Sequence, residues 1–134
     1  MLTGRCLCGS LTFEIQGPIH NMGHCHCSKC RKAYGGAFGT FAQVASADLK
    51  ILTGREGLRA WRSSATVERT FCGTCGSPFT YHWDGMPSVV WVVAGLLDED
   101  PQVRPDHHIF VGSKAPWHEI TDELDQFEQY PPAK

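Results

Sequence analysis

The chain lacks any apolar run long enough to cross a bilayer. Its longest, Val89-Val-Trp-Val-Val-Ala94, falls far short of the roughly 20 residues a spanning helix needs. An apolar leader is also missing, since Met1-Leu-Thr-Gly-Arg-Cys6 carries no hydrophobic stretch of the secretory kind. There is no surplus of positive charge: 12 basic residues stand against 14 acidic ones, for a net charge of −2. Such a balance gives no general attraction to nucleic acid or to an anionic membrane. We therefore expect a cytoplasmic protein with neither as a partner. Linkers and low-complexity segments are absent as well, so residues 1–134 read as one domain, large enough to bury a core without relying on metal alone.

Isolated cysteines are lacking too. The seven cysteines fall into three tight groups: Cys6-Leu-Cys8, Cys25-His-Cys27-Ser-Lys-Cys30 and Cys72-Gly-Thr-Cys75. Seven cannot all pair within one chain. The C-x-C and C-x-x-C spacings suit a shared ion better than long-range disulfides in a reducing compartment. A thioredoxin-like redox site would want one C-x-x-C near a βαβ pattern; here the spacing occurs twice, and neither instance sits in such a pattern.

Helix signals are weak and strand signals dominate. Alternating or apolar runs mark strands at Leu11–Ile15, Phe38–Val44, Leu49–Leu52, Leu58–Trp61, Thr66–Phe71, Phe79–Trp83, Ser88–Val93 and His108–Val111. Gly54–Gly57 reads as a hairpin loop and Asp84–Pro87 as another turn. The run at 88–93 is apolar on both faces, as a central strand would be. One short helix is expected over Ser28–Tyr34, stopped by Gly35-Gly36. The acidic tail from Glu119 is expected to hold at most a helical turn and then fray. The fold class is mostly β.

An internal echo sorts the cysteines. Cys6-Leu-Cys-Gly-Ser-Leu-Thr-Phe13 parallels Cys72-Gly-Thr-Cys-Gly-Ser-Pro-Phe79. A glycine after each pair permits positive φ, so the backbone can curl over a metal and point N–H groups at the thiolates. Two such knuckles facing each other make a closed four-thiolate zinc site from Cys6, Cys8, Cys72 and Cys75. The middle group lacks that glycine. Cys27 and Cys30 are one helical turn apart, and Cys25 reaches in from the extended segment before them. Three ligands leave a fourth position for water or an incoming group, the pattern of a catalytic zinc. The alternative is that a histidine closes it: His24 and His26 are adjacent in sequence, and His20, His82, His107, His108 and His118 are candidates in space. Two zinc ions per chain are expected in all.

Three thiolates around Zn²⁺ carry a formal charge of −1, which makes a poor generator of hydroxide. A soft, sulfur-rich site instead matches a soft incoming ligand, and a coordinating thiol loses its proton. The chemistry indicated is addition of a thiol to an electrophile, or the reverse. Lys29, Arg31 and Lys32 flank the triplet and are candidates for binding substrate carboxylates. The plainer reading is a solvated basic turn.

Gly4-Arg-Cys6-Leu-Cys8-Gly9, Cys25-His-Cys27-Ser-Lys-Cys30-Arg31 and Phe71-Cys72-Gly-Thr-Cys75-Gly76-Ser77, in this order, resemble the glutathione-dependent formaldehyde-activating enzyme family, which also includes centromere-protein-V-like proteins. Ala94-Gly95-Leu-Leu-Asp98 and His108–Trp117 extend the likeness over nearly the whole chain. The resemblance implies an Mss4-like fold of stacked, coiled antiparallel β-sheets. It implies a structural zinc on Cys6, Cys8, Cys72 and Cys75 and a catalytic zinc on Cys25, Cys27 and Cys30. The implied activity is that of a carbon–sulfur lyase of the S-(hydroxymethyl)glutathione synthase kind, joining glutathione to formaldehyde. Water, His24, His26 or another nearby histidine would supply the proton, and Phe38, Phe41, Trp91 and Trp117 are candidate pocket walls. A noncatalytic zinc-binding or protein-interaction module of the same fold is the alternative function. A chromatin-associated role is disfavoured by the net charge and the lack of a basic tail.

Overall fold

The computed structural model describes residues 1–131. It contains two β-sheets. The smaller is built from β1 (Leu2–Arg5), β2 (Thr12–Ile15) and β5 (Leu49–Thr53), in the order β1-β2-β5. The larger comprises β3 (Asn21–Cys25), β4 (Gly39–Ala45), β6 (Leu58–Arg62), β7 (Val67–Cys72), β8 (Pro78–Trp83), β9 (Val89–Val93), β10 (His107–Ile109) and β11 (Asp125–Gln126). Its order is β11-β10-β3-β4-β9-β8-β7-β6, so β9 is central, as its two-sided apolar pattern requires.

The main core lies between the sheets. Phe13 and Ile15 of β2 meet Val44, Phe79, Val90 and Val92 of the larger sheet, all essentially inaccessible to solvent. The Phe13 and Phe79 rings lie 4.8 Å apart and tilted, and each buried side chain of this size contributes roughly 1.5–3 kcal/mol. Cys6 and Cys72 are part of the same cluster, so the first and third cysteine groups sit at the edge of this core.

The one α-helix, α1 (Ser28–Tyr34), ends at Gly35, which adopts φ 69° and donates its N–H to the Arg31 carbonyl. Two segments depart from expectation. The segment at 54–57 does not close a hairpin: β5 pairs with β2, while β6 pairs with β7. Leu49 and Ile51 pack on the core beside Ile15 and Phe13, their register partners, and a 3₁₀ turn at Arg55–Gly57 carries the chain to the other sheet. The tail forms a strand where a helical turn was expected. β11 lies parallel to β10, and β10 lies parallel to β3, with Ile109 beside Cys25 and His108 beside His24. The remaining pairings among named strands are antiparallel. Residues 132–134, the end of the expected tail, lie outside the described residues.

Candidate metal centres and substrate cavity

The two Gly-Ser knuckles have the same geometry. Gly9 and Gly76 both adopt φ 80°, and each donates its N–H to the first cysteine carbonyl of its pair, Gly9 to Cys6 at 3.1 Å and Gly76 to Cys72 at 2.8 Å. They face each other and bring the sulfurs of Cys6, Cys8, Cys72 and Cys75 within 4.8 Å of one another. The Cys6–Cys8 and Cys8–Cys72 sulfurs are 3.6 and 3.9 Å apart. Those contacts are far too long for disulfides but close to the edge of a tetrahedron of thiolates about 2.3 Å from zinc, roughly 3.8 Å. The residues therefore fit the metal the sequence implied.

The two serines, which sequence reasoning treated only as part of the echo, interlock the knuckles. Ser10 Oγ lies 3.1 Å from Cys8 Sγ and 3.5 Å from Cys72 Sγ. Ser77 Oγ lies 3.3 Å from Cys75 Sγ and accepts the Leu7 N–H at 2.9 Å. Hydrogen bonding from Ser77 first, then from the backbone, pulls the Cys75 thiol down to about 5. Backbone hydrogen bonds at Cys75, then Ser10, bring Cys72 to about 7.

The triplet is built differently. Cys25 closes β3, and Cys27 caps α1, its sulfur accepting the Cys30 N–H at 3.2 Å. Cys25, Cys27 and Cys30 bring their sulfurs within 4.8 Å, and among the described residues no histidine or carboxylate joins them within that distance. Hydrogen bonding from Cys25 and Cys30 holds the Cys27 thiol at about 2. The Cys25 thiol is pushed up by its hydrogen bond to Cys27. A bound cation would favour ionisation of all three.

The triplet opens onto a cavity of about 720 Å³, a size typical of small-molecule sites. Its floor is one face of the larger sheet. Asn21, Gln43, Trp91, Tyr81 and Arg69 are successive register partners across β3, β4, β9, β8 and β7, and all five line the cavity. Phe41, two residues from Gln43, and Cys25, four residues from Asn21, occupy the same face. His107 also lines it, its Nδ1 2.5 Å from Asp106 Oδ1. The His107 ring occupies the space a side chain at Gly23 would need: a Cβ there would lie 2.4 Å from His107 Nε2.

The structure separates the residues singled out from sequence. Lys29, Phe41 and Trp91 line the cavity; Arg31, Lys32, Phe38 and Trp117 do not. Trp117 is 71% exposed. His24 and His26 point to the opposite side of the sheet from Cys25, as strand alternation requires. There His26 Nε2 is 2.7 Å from His108 Nδ1, and His108 Nε2 is 3.0 Å from Asp122 Oδ2. His24 is hydrogen-bonded to Thr40 Oγ1 at 2.8 Å and stacks with Phe38 and His108. Burial, then neighbouring positive charge from His108, lowers both His24 and His26 to about 4. Of the histidines that were candidates in space, His107 lines the cavity; Arg69 and Tyr81 line it too and were not singled out from sequence. The sequence signal for Arg69 was available: the single basic residue of the strand Val67–Cys72, which leads directly into a cysteine knuckle.

Two sheets enclosing a core, a four-sulfur cluster at the edge of that core and a three-sulfur cluster in a cavity define a mostly β protein with two candidate metal centres. A profile of the glutathione-dependent formaldehyde-activating enzymes matches residues 1–113, and the chain belongs to this family. It is similar to proteins of Aspergillus flavus and Aspergillus oryzae provisionally named as glutathione-dependent formaldehyde-activating enzymes. Each is 30% identical over 74 residues, which is 54% of this chain and 39% of the relative. The match thus spans about two fifths of the length of these relatives. An uncharacterized lyase of Schizosaccharomyces pombe is 20% identical over 92% of this chain and 88% of its own. A crystal structure of a Rhodobacter sphaeroides protein superposes with a TM-score of 0.62 at 26% identity, covering 77% of this chain and 91% of that one. No helix among the described residues is long and apolar enough to cross a membrane.

Proposed function

We propose that this chain is a zinc-dependent carbon–sulfur lyase or synthase whose reaction is the condensation of glutathione with formaldehyde to S-hydroxymethylglutathione. One observation carries the reading: the three-cysteine cluster, and not the four-cysteine one, lies in the wall of the large cavity. Cys25, Cys27 and Cys30 would hold the catalytic ion and Cys6, Cys8, Cys72 and Cys75 the structural one. Zinc at the triplet would supply soft Lewis acidity, keeping a substrate thiol ionised at neutral pH.

The chain's own residues do the rest. The aromatic floor of Phe41, Tyr81 and Trp91 excludes water and packs against the peptide portion of the thiol. Lys29, exposed on the first turn of α1 at the cavity rim, meets one of its carboxylates. His107, held through Nδ1 by Asp106 and lining the cavity, supports proton delivery to the new hydroxyl. His24 and His26, turned to the far side of the sheet, are not in position for that role.

The test is exchange spectroscopy by NMR on a glutathione–formaldehyde equilibrium mixture. Zinc-loaded protein should accelerate exchange between the free thiol and the hydroxymethyl adduct, and a Cys27→Ser variant should not. Unaltered exchange rates at high concentrations of the zinc-loaded protein would rule out this reaction.

A further inference from the structure

Arg69 is a charged side chain with no carboxylate to balance it. It is 8% exposed, and among the described residues no Asp or Glu oxygen lies within 4.0 Å of it. A buried charge is retained only where something compensates for lost hydration. Here Nε donates to Ser63 Oγ at 2.9 Å, while Nη1 donates to Tyr34 OH at 3.0 Å and contacts Cys30 Sγ at 3.5 Å. The guanidinium also stacks on Tyr34 and Tyr81, 5.5 and 5.3 Å from the ring centres, contacts that favour a cation. Nη2 has no partner among the described residues. It is also not among the buried unpartnered atoms, which are His26 Nδ1 and Arg31 Nε, so it keeps access to the cavity that Arg69 lines.

The cation is therefore fixed on three sides and has one edge available, beside the sulfur cluster. We propose that Arg69 is a catalytic residue of this site: Nη2 receives the anionic oxygen that forms on a carbonyl carbon when a thiolate adds to it. This rests on the reading above that the substrate is a small thiol adduct. In the addition the S–C bond forms and the carbonyl π bond breaks. The electron pair goes to oxygen, giving RS–CH₂–O⁻, and a proton delivered from water or a histidine completes the alcohol. Arginine stays protonated throughout and acts by holding the charge, as preorganised donors do at other oxyanions. Lys29 is not equivalent: it is exposed, and its charge is screened by water.

Mercaptoacetate tests this without turnover, because it places an anionic oxygen beyond a thiol sulfur; ethanethiol carries the sulfur alone. Both are titrated calorimetrically into zinc-loaded wild type, Arg69→Met and Arg69→Lys. Mercaptoacetate should bind wild type at least about tenfold tighter than ethanethiol, as expected for one charge-assisted hydrogen bond. The ratio of the two affinities should fall to about one in Arg69→Met and drop severalfold in Arg69→Lys, whatever the absolute affinity for ethanethiol in each zinc-loaded variant. Equal binding of the two thiols by wild type, or a preference that survives in Arg69→Met, overturns the assignment. Should Arg69→Met not fold, the wild-type preference and its reduction in Arg69→Lys decide the matter, and an undiminished preference in that variant overturns it. Catalysed formaldehyde exchange without an anion preference would remove the Arg69 role alone. An Arg69-dependent preference without exchange would retire the formaldehyde reaction and leave Arg69 as the anion contact.

Discussion

Replacing Cys72 by Ser tests the division of labour between the two clusters. Cys8 and Cys72 are 64 residues apart, whereas Cys25 and Cys30 are separated by five positions. A metal that closes the longer loop removes more disorder from the unfolded chain. By the (3/2)RT ln n rule the difference between the two loops is about 2 kcal/mol. Packing adds to it, because Cys6 and Cys72 are each 3% exposed and belong to the main core. A polar hydroxyl there, freed from the metal, costs roughly a further 1–3 kcal/mol. Cys72→Ser should therefore lose several kcal/mol, a large part of the roughly 5–15 kcal/mol that holds a domain of this size together. Cys27→Ser, at a half-buried position over a short loop, should lose about 2 kcal/mol less or better. The assay is paired: urea unfolding of the zinc-loaded proteins, and zinc released on denaturation, read with a chromophoric chelator. Wild type should release two equivalents and each variant one. Equal destabilisation by the two substitutions, or a Cys72→Ser protein that keeps wild-type stability and both zincs, would refute the knuckle pairing.

Gly9→Ala and Gly76→Ala should each cost about 1 kcal/mol in urea unfolding, because φ is 80° at both positions while a Cβ at either would meet nothing within 4 Å; a neutral effect would mean the knuckles tolerate another backbone conformation. Lys29→Ala should weaken glutathione binding severalfold in calorimetry, and Lys32→Ala, outside the cavity wall, should leave it within about twofold; the reverse order would place the peptide elsewhere. The histidine cluster predicts a pH slope. His24 and His26 fall to about 4 in the folded chain from an unfolded value near 6.5. The unfolded state therefore binds more protons between these values, and stability is lost as pH falls from about 6.5 towards 4. His26→Asn should flatten that slope relative to wild type in urea midpoints taken across the window, and an unchanged slope would show that other groups carry it.

The cysteine clusters were legible because their determinants are local. Cys27, Ser28, Lys29 and Cys30 lie within one turn, and each knuckle is contained in Cys6–Ser10 or Cys72–Ser77. The pairing of one knuckle with the other was legible only because the motif repeats. The strands were read from alternation, which fixes side-chain direction but not partners. That is why β5 was assigned to a hairpin with β6 and not to β2. The parallel pairing of β10 with β3 left no trace in the sequence, since three residues carry no periodicity that names a neighbour. Its consequence is large: it puts His107 and Ile109 on the Cys25 face and His108 on the His24 face. Seven histidines thus offered many candidates, and only register could separate them.

Charge explains why the two centres need different surroundings. A four-thiolate zinc carries a formal −2, yet Cys8 is exposed and Ser10 and Ser77 reach the sulfurs, so water and hydrogen bonds can disperse it. The triplet has Cys25 and Cys30 buried and an aromatic cavity in front of them, where dispersal by water is poor. Arg69 Nη1, 3.5 Å from Cys30 Sγ, brings a permanent positive charge to that side. With zinc and three thiolates at −1, the guanidinium makes the buried assembly formally neutral. An ionised substrate thiol would then add a single negative charge, and addition to a carbonyl would move that charge from sulfur to oxygen without increasing it. A buried arginine at this place, and not a surface lysine, would let a zinc-loaded triplet accept an anion while shielded from solvent.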